Sequence, residues 1–211
     1  MLDTSELIGF LTVIEHARFG LIGGYLVLNP AGRPVEFHCT TPVRATRTQE
    51  ILYGSSLFPF LYGEQIGQTL LEKSRTPAGL LVTDSIPVLA VQEFIDQPII
   101  YVARPKENEA LRNDTMHGSL RAFGIEPNHE ENRQESVGEA QVMQRLHAIP
   151  GLNVDRWQEI ELGRRIVALP EHSAISRDQQ REWLAVLMKT LDFLEPFERI
   201  RLAVEETQKA A

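Results

Sequence analysis

The residues of this 211-residue chain whose types and positions could supply an acid or a base to one site lie between residues 38 and 84. His38 lies in a predicted strand, Asp84 directly follows another, and Glu50 and Glu64 lie in a helical stretch between them. A general base must reach its proton directly or through one water. These four residues are therefore the catalytic candidates, provided that the fold brings them together.

A wider set of polar residues lies near the ends of predicted strands or at helix starts. In open α/β sheets, ligands collect where strands deliver their carboxyl ends to a crevice. The alternative is local capping, with Asp84 as a helix N-cap and Glu64 in a first helical turn. The candidates for ligand binding are His38, Thr41, Tyr62, Glu64, Asp84 and Arg104.

Cys39 is the one cysteine of the chain, so neither an intrachain disulfide framework nor a cysteine-rich zinc site is expected. A nucleophilic Cys39 would need a base within hydrogen-bond reach. The adjacent His38 is a poor partner, because neighbouring residues of a strand point to opposite faces. The pattern favours Cys39 as a small hydrophobic residue of the core.

The elements that must position these residues begin with a predicted helix over 3–17. It is inferred from apolar residues spaced by three and four, from Leu7 to Ile14. Two strands, 21–28 and 35–40, follow as a hairpin around the turn residues 29–34. Gly23 and Gly24 in the first of them predict close approach by another element.

The next stretch alternates helices and buried strands. Helices are expected near 46–53 and from about 62, and strands over 78–82 and 99–103, with a helix after Asp84 between them. This order is typical of parallel pairing with a right-handed crossover. The expected fold class is α/β, or α+β, with a mixed β-sheet and flanking helices.

The remaining composition predicts three regions. A main domain covers 1–104, a polar linker or long loop covers 105–135, and a smaller α+β region covers 136–211. The last region carries a hairpin hinged at Gly163 and a strongly amphipathic helix, packed on the first domain or separate from it. The apolar stripe of that helix runs from Trp183 to Leu194.

The order hairpin, helix, strand, helix, strand resembles the cytidine-deaminase-like architecture. In that family His-x-Glu opens the helix after the hairpin, and Pro-Cys-x-x-Cys opens the next. Here Tyr62-Gly63-Glu64 and Pro87-Val88-Leu89-Ala90-Val91 occupy those places. The resemblance implies the fold without its zinc, because Tyr62, Val88 and Val91 replace the three ligands.

Acidic residues outnumber basic ones by 29 to 21, for a formal charge of -8. Phosphate is repelled by such a chain, and Arg44 with Arg47 is too small a basic patch, so no nucleic-acid partner is expected. The N-terminus lacks the basic start of a secretory signal, and no apolar run is long enough to cross a membrane. A cytoplasmic protein without metal or cofactor is expected.

These observations favour a protein-interaction or small-ligand-binding module over an enzyme. The amphipathic helix around Trp183 to Leu194 would bind a protein partner or a second copy. The alternative is a metal-independent, hydrolase-like enzyme with a polar cleft around His38, Glu64 and Asp84.

Overall fold

A computed structural model describes residues 7–103, 157–162, 165–170 and 177–209, together with residues 146, 147, 149, 152 and 155. The predicted polar linker, 105–135, and Arg104 lie outside these residues. The division into regions 1–104, 105–135 and 136–211 stays a prediction.

The described strands form one seven-stranded mixed sheet in the order β3-β2-β1-β4-β5-β7-β6. β1 pairs antiparallel with β2 and parallel with β4, and β5 continues the parallel part. An α/β sheet with flanking helices is therefore confirmed. The strands are β1 (Ile8–His16), β2 (Gly20–Leu28), β3 (Pro34–Cys39), β4 (Leu80–Thr83), β5 (Ile99–Val102), β6 (Trp157–Leu162) and β7 (Arg165–Pro170).

The predicted first helix is wrong, because Ile8–His16 is the central strand β1. Leu11 and Phe10 are both buried, although they point to opposite faces of the sheet. A strand that is covered on both faces is apolar at nearly every position, so a spacing of three and four also occurs within it. Tertiary burial, not helical periodicity, produced this pattern.

Helical segments cover both faces of the sheet. After α1 come a 3-10 turn, Gly54–Ser56, and the short α2; a π-helical segment, Phe60–Gln68, then leads into α3. A nine-residue 3-10 helix, Ile86–Phe94, links β4 to β5. The α-helices are α1 (Arg47–Tyr53), α2 (Leu57–Pro59), α3 (Thr69–Lys73), α4 (Arg177–Thr190) and α5 (Glu195–Lys209).

We call the two sides of the sheet the front and back faces. The front face carries Leu11, Tyr25 and Leu81 and is covered by the π-helical segment and the 3-10 helix. The back face carries Phe10 and Val82 and is covered by α4 and α5. Each face has its own hydrophobic core, so every site residue can be assigned to one side.

The consecutive glycines of β2 show how tightly both layers pack. A Cβ on Gly23 would lie 2.2 Å from Ile66 Cγ2 on the front face, and one on Gly24 would lie 2.2 Å from Ile200 Cγ2 on the back face. No real Cβ contact is that short. The predicted close approach at these glycines is confirmed for both faces.

The apolar stripe of α4 is part of the back-face core. Leu184, Leu187 and Leu191 are all buried there, alongside Phe197 and Val204 of α5. The predicted partner-binding surface around Trp183 to Leu194 is therefore wrong, because these leucines already pack within the chain. None of the described helices combines the length and the apolar character needed to cross a bilayer.

Candidate functional site

Asp84 is the most deeply buried carboxylate among the described residues, with a side chain only 1% exposed. It directly follows β4 and shares the back face with Thr12 of the neighbouring parallel strand β1. Thr12 Oγ1 donates a hydrogen bond to Asp84 Oδ1 at 2.6 Å. Arg201 Nη2 of α5 donates to Asp84 Oδ2 at 2.5 Å.

Three separate elements build this cluster. Thr12 is fully buried within β1, and Arg201 is held on α5 by the neighbouring residues Ile200 and Val204, which anchor the helix in the back-face core. The guanidinium of Arg201 also donates to Glu198 at 3.1 Å. A buried carboxylate is tolerated only when it is paired and hydrogen-bonded. Thr12 and Arg201 together meet that condition for Asp84.

Asp84 binds to distant parts of the fold, whereas local capping was the alternative considered for it. Both of its oxygens accept from side chains of other elements, and Ser85 N–H instead donates to Thr83 Oγ1. A carboxylate in this state is poorly placed as a general base, because its oxygens are engaged and its side chain barely meets solvent. The site presents a neutralised ion pair rather than a free base.

Sequence reasoning missed Thr12 and Arg201. The available signal for Thr12 is that it is the one hydroxyl within the apolar run 8–14. The available signal for Arg201 is its position on the last helix, next to Ile200 and three residues before Val204, both of which face inward. Neither signal specifies a partner, since Arg201 and Asp84 are 117 positions apart.

His38 belongs to a second polar cluster on the front face. Its Nε2 lies 2.6 Å from Glu36 Oε1, and Glu36 also accepts from the backbone N–H groups of Arg75 and Thr76, each at 2.9 Å, and from Ser74 Oγ at 3.1 Å. Glu36 thus fastens the turn after α3 to the edge strand β3. His38 is 29% exposed and supports this carboxylate.

Hydrogen bonding and burial shift two pKa values in this cluster. The pKa of Glu36 lies far below its ordinary value, first because Arg75 N–H donates to it, then because of His38 and Thr76 N–H. Burial raises the pKa of the Tyr25 hydroxyl to about 12, and the charge on Glu36 adds to the rise. Glu36 therefore stays ionised and Tyr25 stays neutral across the physiological range.

The structure does not bring His38 and Asp84 together. His38 pairs across the sheet with Tyr25, Tyr25 with Leu11, and Leu11 with Thr83, so three strand spacings separate β3 from β4. At about 4.8 Å per spacing the distance is about 14 Å. His38 also faces front and Asp84 faces back. A common cleft of His38, Glu64 and Asp84 is not formed, because Glu64 is exposed on the π-helical segment of the front face.

The other candidate residues also lie apart. Glu50 pairs with Arg47 at 2.8 Å on α1, and Thr41 is exposed beyond β3. Tyr62 is buried, and its hydroxyl donates to Glu15 at the end of β1. Burial and the Glu15 charge raise the pKa of Tyr62 well above its usual range. Arg104 lies outside the described residues.

The residues at the deaminase-like motif positions are part of the core. Val88 and Val91 are both fully buried on the front face, and Tyr62 is bound to Glu15. In addition, β1 precedes the hairpin as a third antiparallel strand, where a helix was predicted. Cys39 is half-buried on the back face, opposite Gly24, and His38 points to the other side. Among the described residues no group of three or more His, Cys, Asp or Glu is arranged to hold a metal ion.

A small cavity lies beside the front-face cluster. It has a volume of about 170 Å³ and is lined in part by Tyr25, Ser74, Thr76 and Gln97. Pockets for drug-sized ligands typically span about 300–1,000 Å³. This cavity is too small for such a ligand.

Exposed arginines lie close together at the end of the sheet where strands β1 and β3 finish. Arg18 lies 5.4 Å from the centre of the Phe19 ring, and Arg44 Nε donates to the Phe19 carbonyl at 3.1 Å. The His16 ring contacts the Phe19 ring in a tilted arrangement, with centroids 4.5 Å apart and an interplanar angle of 35°. We call this set, with Arg47 at the start of α1, the arginine edge.

The chain is similar in fold to human ENDOV, with a TM-score of 0.50, 13% identity, and coverage of 99% of this chain and 87% of the other. This chain has an endonuclease V-like fold. The catalytic domain of human endonuclease V gives a TM-score of 0.49 at 13% identity, covering 99% and 88% of the two chains. No family model and no curated protein matches the sequence.

The similarity to human ENDOV corrects three predictions. The suspected cytidine-deaminase-like architecture is wrong, because the fold is similar to that of ENDOV. The protein-interaction or small-ligand-binding module and the expected absence of a nucleic-acid partner are likewise contradicted, and the hydrolase-like alternative fits better.

Proposed function

We propose that this chain binds nucleic acid and that the arginine edge is the binding surface. The carrying observation is that Arg18 and Arg44 are exposed beside the Phe19 ring and, within the part of the chain that is described, contact no carboxylate. Guanidinium groups bind phosphate oxygens in a bidentate manner, and aromatic rings provide stacking platforms for bases.

The position of this edge also supports the proposal. The carboxyl ends of β1, β3 and β4 lie at the same end of the sheet. In the parallel register of β1 and β4, Asp84 is level with Thr12. His16 is four residues further along β1, which corresponds to about 13 Å. A bound strand contacting Arg18 and Arg44 would therefore pass the end of the sheet that carries Asp84. Human endonuclease V, whose fold this chain shares, is by name a nuclease.

The test is fluorescence anisotropy with labelled single-stranded DNA and RNA oligonucleotides over a range of salt concentrations. We expect Arg18→Glu with Arg44→Glu to abolish binding, because two phosphate contacts become repulsive. In the milder double alanine variant, the slope of log K against log salt should fall by about 1.4, at roughly 0.7 per lost single-strand contact.

Arg33→Glu is the matched control, since Arg33 is exposed in the β2–β3 turn at the opposite end of the sheet. It makes the same charge change as either edge substitution, Arg18→Glu or Arg44→Glu, made singly. Equal losses from Arg33→Glu and the edge variants would show that only overall charge matters. Absence of binding by the unaltered chain at low salt would refute the proposal.

Hydrolysis of nucleic acid is a second candidate activity, favoured by the endonuclease V-like fold. Asp84 is the residue to vary, because it is the buried carboxylate between parallel strand ends. Cleavage of end-labelled oligonucleotides that disappears in Asp84→Asn would support it. Cleavage that persists unchanged in that variant would place the activity elsewhere. A cytoplasmic location remains a prediction that cell fractionation would test.

A further inference from the structure

The Asp84 cluster bears directly on how a hydrolytic activity would work. Nucleases commonly cleave phosphodiesters with divalent cations held by carboxylates, which stabilise the attacking and leaving oxygens. Magnesium needs near-octahedral oxygen ligands at about 2.0–2.1 Å. A cation at Asp84 would have to use the same carboxylate oxygens that now accept from Thr12 and Arg201.

The guanidinium already supplies what a cation would supply to this carboxylate. It places positive charge 2.5 Å from Asp84 Oδ2 in a site where the carboxylate is 1% exposed. Within the described chain, no set of three or more His, Cys, Asp or Glu surrounds the position. A divalent cation entering beside Arg201 would meet like charge and would have to displace the guanidinium from the carboxylate. With Arg201 in place, the described residues do not fit a metal centre.

Moving α5, the helix that carries Arg201, would disturb the core. Phe197, Ile200 and Val204 of this helix are buried, and Ile200 sits against Gly24 of β2. Helix movement would expose these side chains. Core packing therefore holds the backbone of Arg201 against the sheet, and the charge of Asp84 holds its guanidinium.

We propose that Arg201 takes the place of a divalent cation at Asp84, so that this chain does not load a metal at that carboxylate while α5 is packed on the sheet. This inference rests on the second candidate activity, hydrolysis of nucleic acid, because it concerns how that reaction would be supported at Asp84. Its test needs no nucleic acid, so its failure is distinguishable from failure of the proposed binding function.

The experiment measures Mn²⁺ binding by electron paramagnetic resonance, together with the thermal unfolding midpoint with and without Mn²⁺. The proteins are the full chain and its Asp84→Asn, Arg201→Gln and Arg201→Lys variants, each checked for folding by circular dichroism. Lysine keeps the positive charge and is the matched control. A ligand that binds only the folded state raises the midpoint by mass action.

We expect the unaltered chain and Asp84→Asn to bind Mn²⁺ equally, because Asp84 takes no part. Mn²⁺ should not shift the unfolding midpoint of Arg201→Lys. Arg201→Gln should lower the midpoint in the absence of metal and regain several degrees in its presence, because the unpaired carboxylate becomes available. Stoichiometric Mn²⁺ in the unaltered chain that is lost in Asp84→Asn would overturn the proposal. So would an Arg201→Gln variant that responds to Mn²⁺ no more than the unaltered chain.

Discussion

Glu36 on the front face and Asp84 on the back face are two carboxylates that the same sheet stabilises in different ways. Glu36 accepts from two backbone N–H groups, a hydroxyl and His38, and most of these donors belong to the turn just after α3. Asp84 accepts from one hydroxyl and from the guanidinium of Arg201 on the last helix.

The comparison shows that the kind of donor decides what a carboxylate can do. Neutral backbone donors leave the charge of Glu36 in place and use it to fasten a turn at a sheet edge. A guanidinium neutralises the charge of Asp84 at a strand end where a ligand or cation would otherwise find it. The first arrangement anchors local structure, and the second closes a potential site.

The largest expected effect comes from removing the guanidinium. Arg201→Ala leaves Asp84 buried without its positive partner and should reduce the free energy of unfolding by about 3–5 kcal/mol, measured by urea denaturation. Arg199→Ala is the control on the same helix. Arg199 pairs with the exposed Glu195 and donates to the Gly32 carbonyl at 2.9 Å, and each of these interactions contributes about 1 kcal/mol. Equal losses from the two variants would show that Asp84 does not depend on Arg201.

Removing the other donor to Asp84 should have the next largest effect. Thr12→Val keeps the shape of a fully buried side chain but deletes its hydroxyl, at a cost of about 1.5–3 kcal/mol for a hydrogen bond to a charged group. Thr12→Ser retains the hydroxyl and should recover most of the stability in the same urea experiment. A valine variant as stable as the parent would contradict the cluster.

Glu36→Gln should change how stability depends on pH. The pKa of Glu36 is lowered on folding, so its contribution is present above the unfolded value, near 4.5, and is lost as the pH falls below it. We expect thermal unfolding midpoints of the parent to drop more steeply than those of Glu36→Gln between neutral pH and the acid range. Parallel pH profiles would show that the turn does not depend on the ionised carboxylate.

The smallest effect is expected from His38→Ala. His38 is partly exposed, and Glu36 keeps three other donors when the imidazole is removed. The midpoint of unfolding should change less than in Thr12→Val. A larger loss would mean that His38, and not the backbone of the turn, holds Glu36 in place.

Much of the fold could be predicted from local patterns. The β2–β3 hairpin, the close approach at Gly23 and Gly24, and the antiparallel pairing of β6 with β7 all occur as expected. Turn residues and glycines act over a few positions, so their consequences can be read without knowing the rest of the chain. The first strand could not be recognised in this way, because β1 is apolar on both faces only as a result of being covered twice.

The sequence by itself determined which residues could carry chemistry and that a mixed α/β sheet would hold them, because hydrophobic patterns and turn chemistry are local. Only the tertiary structure decided that His38 and Asp84 lie on opposite faces, since strand order and register set that relation. It also decided that Arg201 neutralises Asp84. Two residues so distant in the chain meet only when the last helix packs on the back of the sheet, and no local pattern specifies that contact.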